Sequence, residues 1–416
     1  MRVFSILLAA SLMLLSGCRS YTGNFVKKSE EQLAVMEQQN QYAHKLFLDC
    51  NFTAAEDNLR KLIQERTINF LLYQQELVSV LLLRNNHEAA LEIMLNQHKN
   101  WELLLNPNYR EQSENLWHGN KDVYNAPAYE KTFFYALMAL SYINQSSFDD
   151  ALRCVKYGLA TCAAENAYSS QKIYNDIIHK SSNGSALLYY IGYLAAQYNG
   201  SKDVADAFFQ KIKQAVSYSQ VQAALPGESN CYDLLKNHQA NVLLAIWSGN
   251  APSFAYDKEI NSKVMVLHNN PLNMFSVAVD DRQEFFFPPF SGNVDSLAQE
   301  RGSMLCEKII KYQQLKADPE KSYRFWRNLP GAFNILPLNL TPGRHKVFLS
   351  AHNRSDRIAC KVYDIEVRPG NINVIHLQLL PETVDVDSFR YNHWKDEWQM
   401  AVFKASSDRL TVEVKP

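Results

Sequence analysis

A near-copy of one segment inside the chain constrains the fold more than any other feature. Leu46 to Leu59 reads Leu-Phe-Leu-Asp-Cys-Asn-Phe-Thr-Ala-Ala-Glu-Asp-Asn-Leu. Leu81 to Met94, 35 residues on, reads Leu-Leu-Leu-Arg-Asn-Asn-His-Glu-Ala-Ala-Leu-Glu-Ile-Met. Each copy has an apolar helix end, a tight polar turn, and a second helix opened by an alanine pair (Ala54 and Ala55, Ala89 and Ala90). Small residues there let two helix backbones come close. Looser copies run from Asn144 to Leu152 and from Tyr198 to Phe208. Beside them Phe133, Ala136, Leu137 and Leu140, and then Leu187, Leu188, Ile191 and Leu194, recur at helical spacing.

One helical pair cannot bury its apolar stripe alone, but stacked neighbours can. The offset is close to the period of about 34 residues of tetratricopeptide repeats. Residues 28–247 are therefore expected to form a tetratricopeptide-like α-helical domain, with Asn106 to Asn125 as a loop and the apolar run Asn241 to Trp247 at its end. Such a stack offers a curved groove to a protein partner. The alternative is a groove that is filled, with the helices supporting a second domain.

Past residue 248 the period shortens. Val264 to Leu267, Phe275 to Val279, Phe333 to Leu336, Leu340 to Leu349, Ala359 to Val367, Asn373 to Leu380 and Leu410 to Val414 read as strands, several separated by turn residues. Phe285 to Phe290 carries two prolines, which suit an edge segment or a binding lip and not a central strand. Residues 294–315 have the pattern of an inserted amphipathic helix. The expected class is α+β: an N-terminal tetratricopeptide-like helical repeat array followed by a small β-sandwich-like domain over 248–416.

The first residues read as an address. Arg2 precedes an apolar run from Val3 to Leu15, too short to span a bilayer, and Leu15-Ser16-Gly17-Cys18 follows. This box resembles the lipobox of bacterial lipoproteins. The resemblance implies removal of residues 1–17, acylation of Cys18 and a tether over 18–27. Several acyl chains on one residue hold a protein firmly on a bilayer. Arg19 stands where Asp commonly marks inner-membrane retention, which favours the outer membrane if the source is diderm.

Other chemistry is sparse. Lys and Arg number 42 against 43 Asp and Glu, a formal charge of −1, so no basic surface for nucleic acid is expected. The serine-hydrolase elbow, the P-loop, the HExxH helix and the dinucleotide loop are all missing from the sequence. No cofactor or metal is implied. His44, His87 and His98 read as polar-face or turn residues, and His345 and His352 point to opposite faces if they share a strand. The pairs Glu30-Glu31 and Asp149-Asp150 sit at helix starts, where the macrodipole favours negative charge. Cys154 and Cys162 are about 12 Å apart along one helix and cannot pair there. They, Cys50, Cys231, Cys306 and Cys360 are expected to be mostly buried free thiols.

Aromatic residues are the remaining candidates for binding. Phe287 and Phe290, Trp326 beside Phe325, and Trp394 and Trp398 could form exposed anchors. The plainer reading, and the favoured one, is that they seal the β core or bury the junction between the two halves.

Four features then carry a further likeness. They are Tyr129 to Tyr142 followed by Asp150-Ala-Leu-Arg153, Gly249-Asn-Ala-Pro252, Trp326-Arg-Asn-Leu-Pro330, and Leu340-Thr-Pro-Gly343-Arg-His-Lys-Val347. In this order they resemble the bacterial lipoprotein family of cluster of orthologous groups 3014, whose members join a tetratricopeptide-like α domain to a β-rich tail. The resemblance implies architecture and location and no catalytic residues. The first hundred residues and the tail after Leu380 depart from it.

The expectation is a lipid-anchored scaffold or adaptor of the cell envelope, not an enzyme, binding a protein partner through the helical groove, with envelope or peptidoglycan assembly as the client process. The alternative is a surface lipoprotein that binds glycans on the aromatics of its β domain.

Overall fold

The computed structural model describes residues 28–105, 124, 126, 128–169, 185–215, 240–249, 253–257, 262–266, 274–280, 285–287, 292–293, 325–353, 356–379, 401–406 and 409–414. Among them are eight helices, arranged as four antiparallel pairs. α1 (Glu30–Leu48) pairs with α2 (Phe52–Gln64), α3 (Phe70–Leu83) with α4 (His87–Leu105), α5 (Ala128–Asn144) with α6 (Phe148–Ser169), and α7 (Ala186–Tyr198) with α8 (Lys202–Ala215). Ser29 and Gln32 form a capping box at the start of α1.

One hydrogen-bond pattern closes all four turns. The N–H of Asn51, Asn86, Ser147 and Ser201 donates to the carbonyl five residues back, on Leu46, Leu81, Tyr142 and Ala196, at 2.8–2.9 Å. The residue before each donor is left-handed: Cys50 (φ 58°), Asn85 (55°), Ser146 (58°) and Gly200 (73°). This is the Schellman ending of a helix, usually built on glycine. Only the last turn uses one, so Cys50 and Ser146 hold a conformation that costs a side-chain-bearing residue about 1–2 kcal/mol. Four residues after each donor stands a buried alanine, Ala55, Ala90, Ala151 or Ala205, whose N–H bonds back to the turn. The polar turns and small residues of the sequence thus mark real helix endings.

The C-terminal half holds β1 (Val242–Ser248), β2 (Ser253–Asp257), β3 (Ser262–Val266), β4 (Met274–Val279), β5 (Phe285–Phe287), β6 (Gly292–Asn293), β7 (Ala332–Leu338), β8 (Gly343–Asn353), β9 (Asp356–Val367), β10 (Asn373–Leu379), β11 (Ala401–Ser406) and β12 (Arg409–Val414). Two four-stranded sheets have the orders β10-β1-β7-β6 and β5-β4-β8-β9; β2–β3 and β11–β12 are separate hairpins. β1 runs parallel to β10 and antiparallel to β7. Among the described residues β5 pairs only with β4, so the Phe285 segment begins as an edge strand there, as its prolines predict.

The boundary expected at 247/248 moves. Val242–Ser248 is a central strand of the first sheet, not the end of the helical half. Val242, Leu244 and Ile246 face the second sheet, while Leu243, Ala245 and Trp247 face the helices. A strand buried on both faces reads as a continuous apolar run, which periodicity alone does not separate from a buried helix. The expected loop over Asn106 to Asn125 and helix over 294–315 lie almost wholly outside the described residues. No helix among the described residues is long and apolar enough to cross a membrane.

Candidate functional site

The first sheet lies against the helices, and the first helix of every pair reaches the β half. At the centre is the segment Trp326 to Pro330, which enters the helical array. Three consecutive backbone donors are captured by two buried carboxylates. Trp326 N–H donates to Glu130 Oε1 (3.0 Å), Arg327 N–H to Glu76 Oε1 (2.8 Å) and Asn328 N–H to Glu76 Oε2 (2.9 Å). Trp326 Nε1–H donates to Ser79 Oγ (2.9 Å), and the Asn328 amide to the Glu76 carbonyl (3.3 Å). From α1, the Glu37 carboxylate pairs with the Arg327 guanidinium, and His44 Nδ1–H donates to Asn328 Oδ1 (2.7 Å). From α7, Tyr198 Oη–H donates to the Ala240 carbonyl (3.1 Å).

Glu76 lies midway along α3, a helix in which every residue from Leu71 to Leu83 is buried. Burial pushes its carboxyl up to about 8 from an ordinary 4.5, with nearby Glu130 pushing the same way. The Arg327 guanidinium and the two backbone donors pull down without winning. Glu130 is held in turn by the hydroxyls of Tyr124 and Tyr129.

Aromatic rings surround this polar clasp. Phe133 of α5 meets Phe333, Trp247 and Trp326 edge-on, with centroids at 5.2, 6.0 and 6.4 Å. Edge-to-face pairs of this kind contribute about 0.5–1.5 kcal/mol each beyond their buried area.

The exposed edge of the sheet is closed by the helix turns. Among the described residues β10 has a strand, β1, on one side only. On the other side Val374 N–H donates to Asn144 Oδ1 and His376 N–H to Asn85 Oδ1, both at 2.9 Å. His87 Nε2–H donates to the Val374 carbonyl (2.7 Å). Side chains thus take the place of a neighbouring strand, which covers an edge that would otherwise invite pairing with another chain.

His87 and His376 stand 5.2 Å apart, ring to ring. Trp247 Nε1–H donates to His376 Nδ1 (2.9 Å), which must therefore be unprotonated. Burial lowers His87 to about 4 and holds His376 well below its usual value. Both rings are neutral, and His87, expected on a polar face or in a turn, is instead buried against β10 at the start of α4. No group of three or more His, Cys, Asp or Glu among the described residues could hold a metal ion.

Trp326 is 0% exposed and cannot serve as a surface anchor. Its indole needs the Ser79 acceptor, and its backbone the Glu130 carboxylate, so burial here satisfies every donor it has. Phe287 ends the edge strand β5. Phe290, Trp394, Trp398 and Cys18 lie outside the described residues. Glu76 and Glu130 went unread in the sequence. The available signal was Glu76 itself, one acid in a helix with no polar face, which demands a partner from elsewhere in the chain.

Comparison with family models, curated proteins and solved structures found no match to the chain. The site therefore has to be read from its own chemistry. The backbone donors of Trp326, Arg327 and Asn328 are spent inside the chain, and the helical face beside them holds residues 325–330 and the first sheet.

Proposed function

We propose that this protein is a lipid-anchored, non-enzymatic scaffold of a bacterial cell envelope. Cys18 would carry the acyl chains, with the outer membrane favoured as its location. The helical half would be a tetratricopeptide-like repeat array, for which the four recurrent turns speak. The β half would be a small sandwich docked on that array. Kinship with the lipoprotein family named above belongs to the same proposal. Two of its motifs acquire a physical reason: Trp326 to Pro330 is the segment that fills the groove, and Tyr129 to Tyr142 is the helix that receives it.

The carrying observation is the filled groove. A helical array that grips its own chain through α1, α3, α5 and α7 forms one body with the β half, as a spacer or platform on a membrane requires. A protein partner must then meet another surface. On α1, Val35 (53% exposed) and Tyr42 (55%) lie seven residues apart on one side of the helix. They are exposed apolar groups on the helix nearest in sequence to the lipid tether.

The test is photocrosslinking in intact cells, with a benzophenone side chain placed at position 42 or, as a control, at buried position 326. A discrete protein adduct from position 42, absent at 326, is expected, along with palmitate labelling that Cys18→Ala removes. No adduct from position 42 would defeat the scaffold reading. Unlabelled Cys18 would defeat the anchor.

A further inference from the structure

The turn between α1 and α2 brings together two nucleophilic side chains that the clasp does not use. Cys50 occupies the left-handed position of that turn and is half-buried. Its Sγ receives a hydrogen bond from Lys361 Nζ of β9 at 2.9 Å, across 311 residues of sequence. The other polar neighbours of the sulfur are Gln378 Oε1 at 3.8 Å and the Leu48 carbonyl at 3.9 Å. Lys361 Nζ is also 5.3 Å from the ring centroid of Tyr363, which helps hold the amine in place.

The thiol of Cys154 behaves differently. Cys154 is buried in α6, and burial pushes its thiol up to about 12, which makes it inert. The group in direct contact with the Cys50 sulfur is an amine, so an oxidised Cys50 has a nitrogen nucleophile at hand. Beside the pair is a cleft of about 60 Å³, lined by Phe52, Asn85, Lys361, Tyr363 and Gln378. That is room for a few waters, and hence for a peroxide.

The geometry points to Cys50 and Lys361 as an oxidisable pair that forms a covalent sulfur–nitrogen link between the helical half and β9. A peroxide supplies the oxidation. The thiol attacks one peroxide oxygen, the O–O bond breaks, and the products are Cys50 sulfenic acid and one water. The Lys361 amine, in its unprotonated form, then attacks the sulfenyl sulfur. An S–N bond forms, the S–O bond breaks, and the hydroxyl leaves with one amine hydrogen as a second water. The pair has lost two protons and two electrons, the equivalent of two hydrogen atoms. Two external thiols reverse the step, restoring thiol and amine and leaving as a disulfide. Condensation of a sulfenic acid with nitrogen is established for backbone amides, and here a side-chain amine already touches the sulfur.

The purified full-length protein is treated with hydrogen peroxide, digested without reductant and mapped by mass spectrometry. A peptide containing Cys50 joined to one containing Lys361 is expected, lighter than their sum by two hydrogens and separated again by dithiothreitol. Lys361→Arg should abolish the joined peptide and leave Cys50 sulfenic acid open to a 1,3-dione label; Lys361→Gln should do the same. If wild-type protein gives no joined peptide, and its Cys50 is labelled by the dione to the same extent as in Lys361→Arg, the pair is a hydrogen bond and nothing more. Recovery of Cys50 in a disulfide with another cysteine overturns the proposal equally. The wild-type digestion decides the matter even if a variant is unstable.

Discussion

The two faces of the first sheet are packed with different kinds of residue. Between the sheets the core is aliphatic: Val242, Leu244, Ile246, Leu336, Ile375 and Leu377 meet Val277, Val347, Leu349 and Ile365. On the helix side Trp247, Phe333 and Val374 meet Phe133 and Trp326, threaded by Glu76, Glu130, Ser79, His87 and His376. The aliphatic side gains about 1.5–3 kcal/mol for each large side chain buried, with little dependence on direction. The helix side gains similar apolar burial, but the hydrogen bonds of Trp326, Arg327, Asn328 and Trp247 form in one arrangement only. A hydrogen bond adds only about 0.5–1.5 kcal/mol net, whereas a buried donor left unpaired costs about 1–3 kcal/mol. The inter-sheet core therefore supplies stability, and the junction supplies the address that docks one half on the other.

The largest expected effect breaks the junction. Trp326→Ala should cost about 3–5 kcal/mol, for the lost ring, its cavity and the orphaned Ser79 hydroxyl. It should also split a single calorimetric transition into two, one for each half. Leu244→Ala, on the aliphatic side, should cost about 2–5 kcal/mol and leave one transition at lower temperature.

Next comes Glu76→Gln, measured by denaturant unfolding. An amide can accept on only one of its two atoms, so at pH 5 one backbone N–H of Arg327 or Asn328 is stranded, for about 1–3 kcal/mol. That deficit should shrink as pH rises toward 8. In the wild type, Glu76 ionises near 4.5 when unfolded and near 8 when folded, so the folded state holds the extra proton and stability drains away across that window. Glutamine has no proton to lose.

The pH profile of the wild type sharpens the comparison further. His87 takes a proton near 6.5 when unfolded but only near 4 when folded, so its contribution is lost as pH falls through that range; His376 acts in the same sense. With Glu76 opposing them, these junction groups predict a stability maximum near pH 6.5, with slopes of about 1.4 kcal/mol per pH unit for each group. A profile flat from pH 5 to 8 would contradict the burial of these side chains.

The smallest effect tests the covered edge. Asn85→Gly keeps the left-handed turn but removes the acceptor for His376 N–H, so a loss of about 1 kcal/mol in thermal unfolding is expected. No loss would mean that water reaches this edge.

The helical pairs were legible because their turns are local. Asp49-Cys50-Asn51, Arg84-Asn85-Asn86, Gln145-Ser146-Ser147 and Asn199-Gly200-Ser201 each announce a helix ending within three residues. Strands β4, β7, β8 and β10 were legible as apolar runs between turn residues. What the sequence concealed is long-range. Val242–Ser248 looks alike as strand or helix until its neighbours are known. Trp326 is legible as a residue of the junction or as an anchor, but not which, because its acceptors lie on Glu130 and Ser79, about two hundred residues or more away in sequence. An aromatic residue shows that a contact exists; only the placement of its partners tells whether the contact is inside or outside the molecule.

The central claim is that residues 326–328 bind the helices as a built-in ligand. Native-state hydrogen exchange of their three backbone amides tests it most directly, since they belong to no helix or strand. The account predicts that Trp326, Arg327 and Asn328 exchange only on global unfolding, as slowly as the amides of α3 and β7. Exchange at the rate of an open loop, with α3 and β7 still protected, would contradict it.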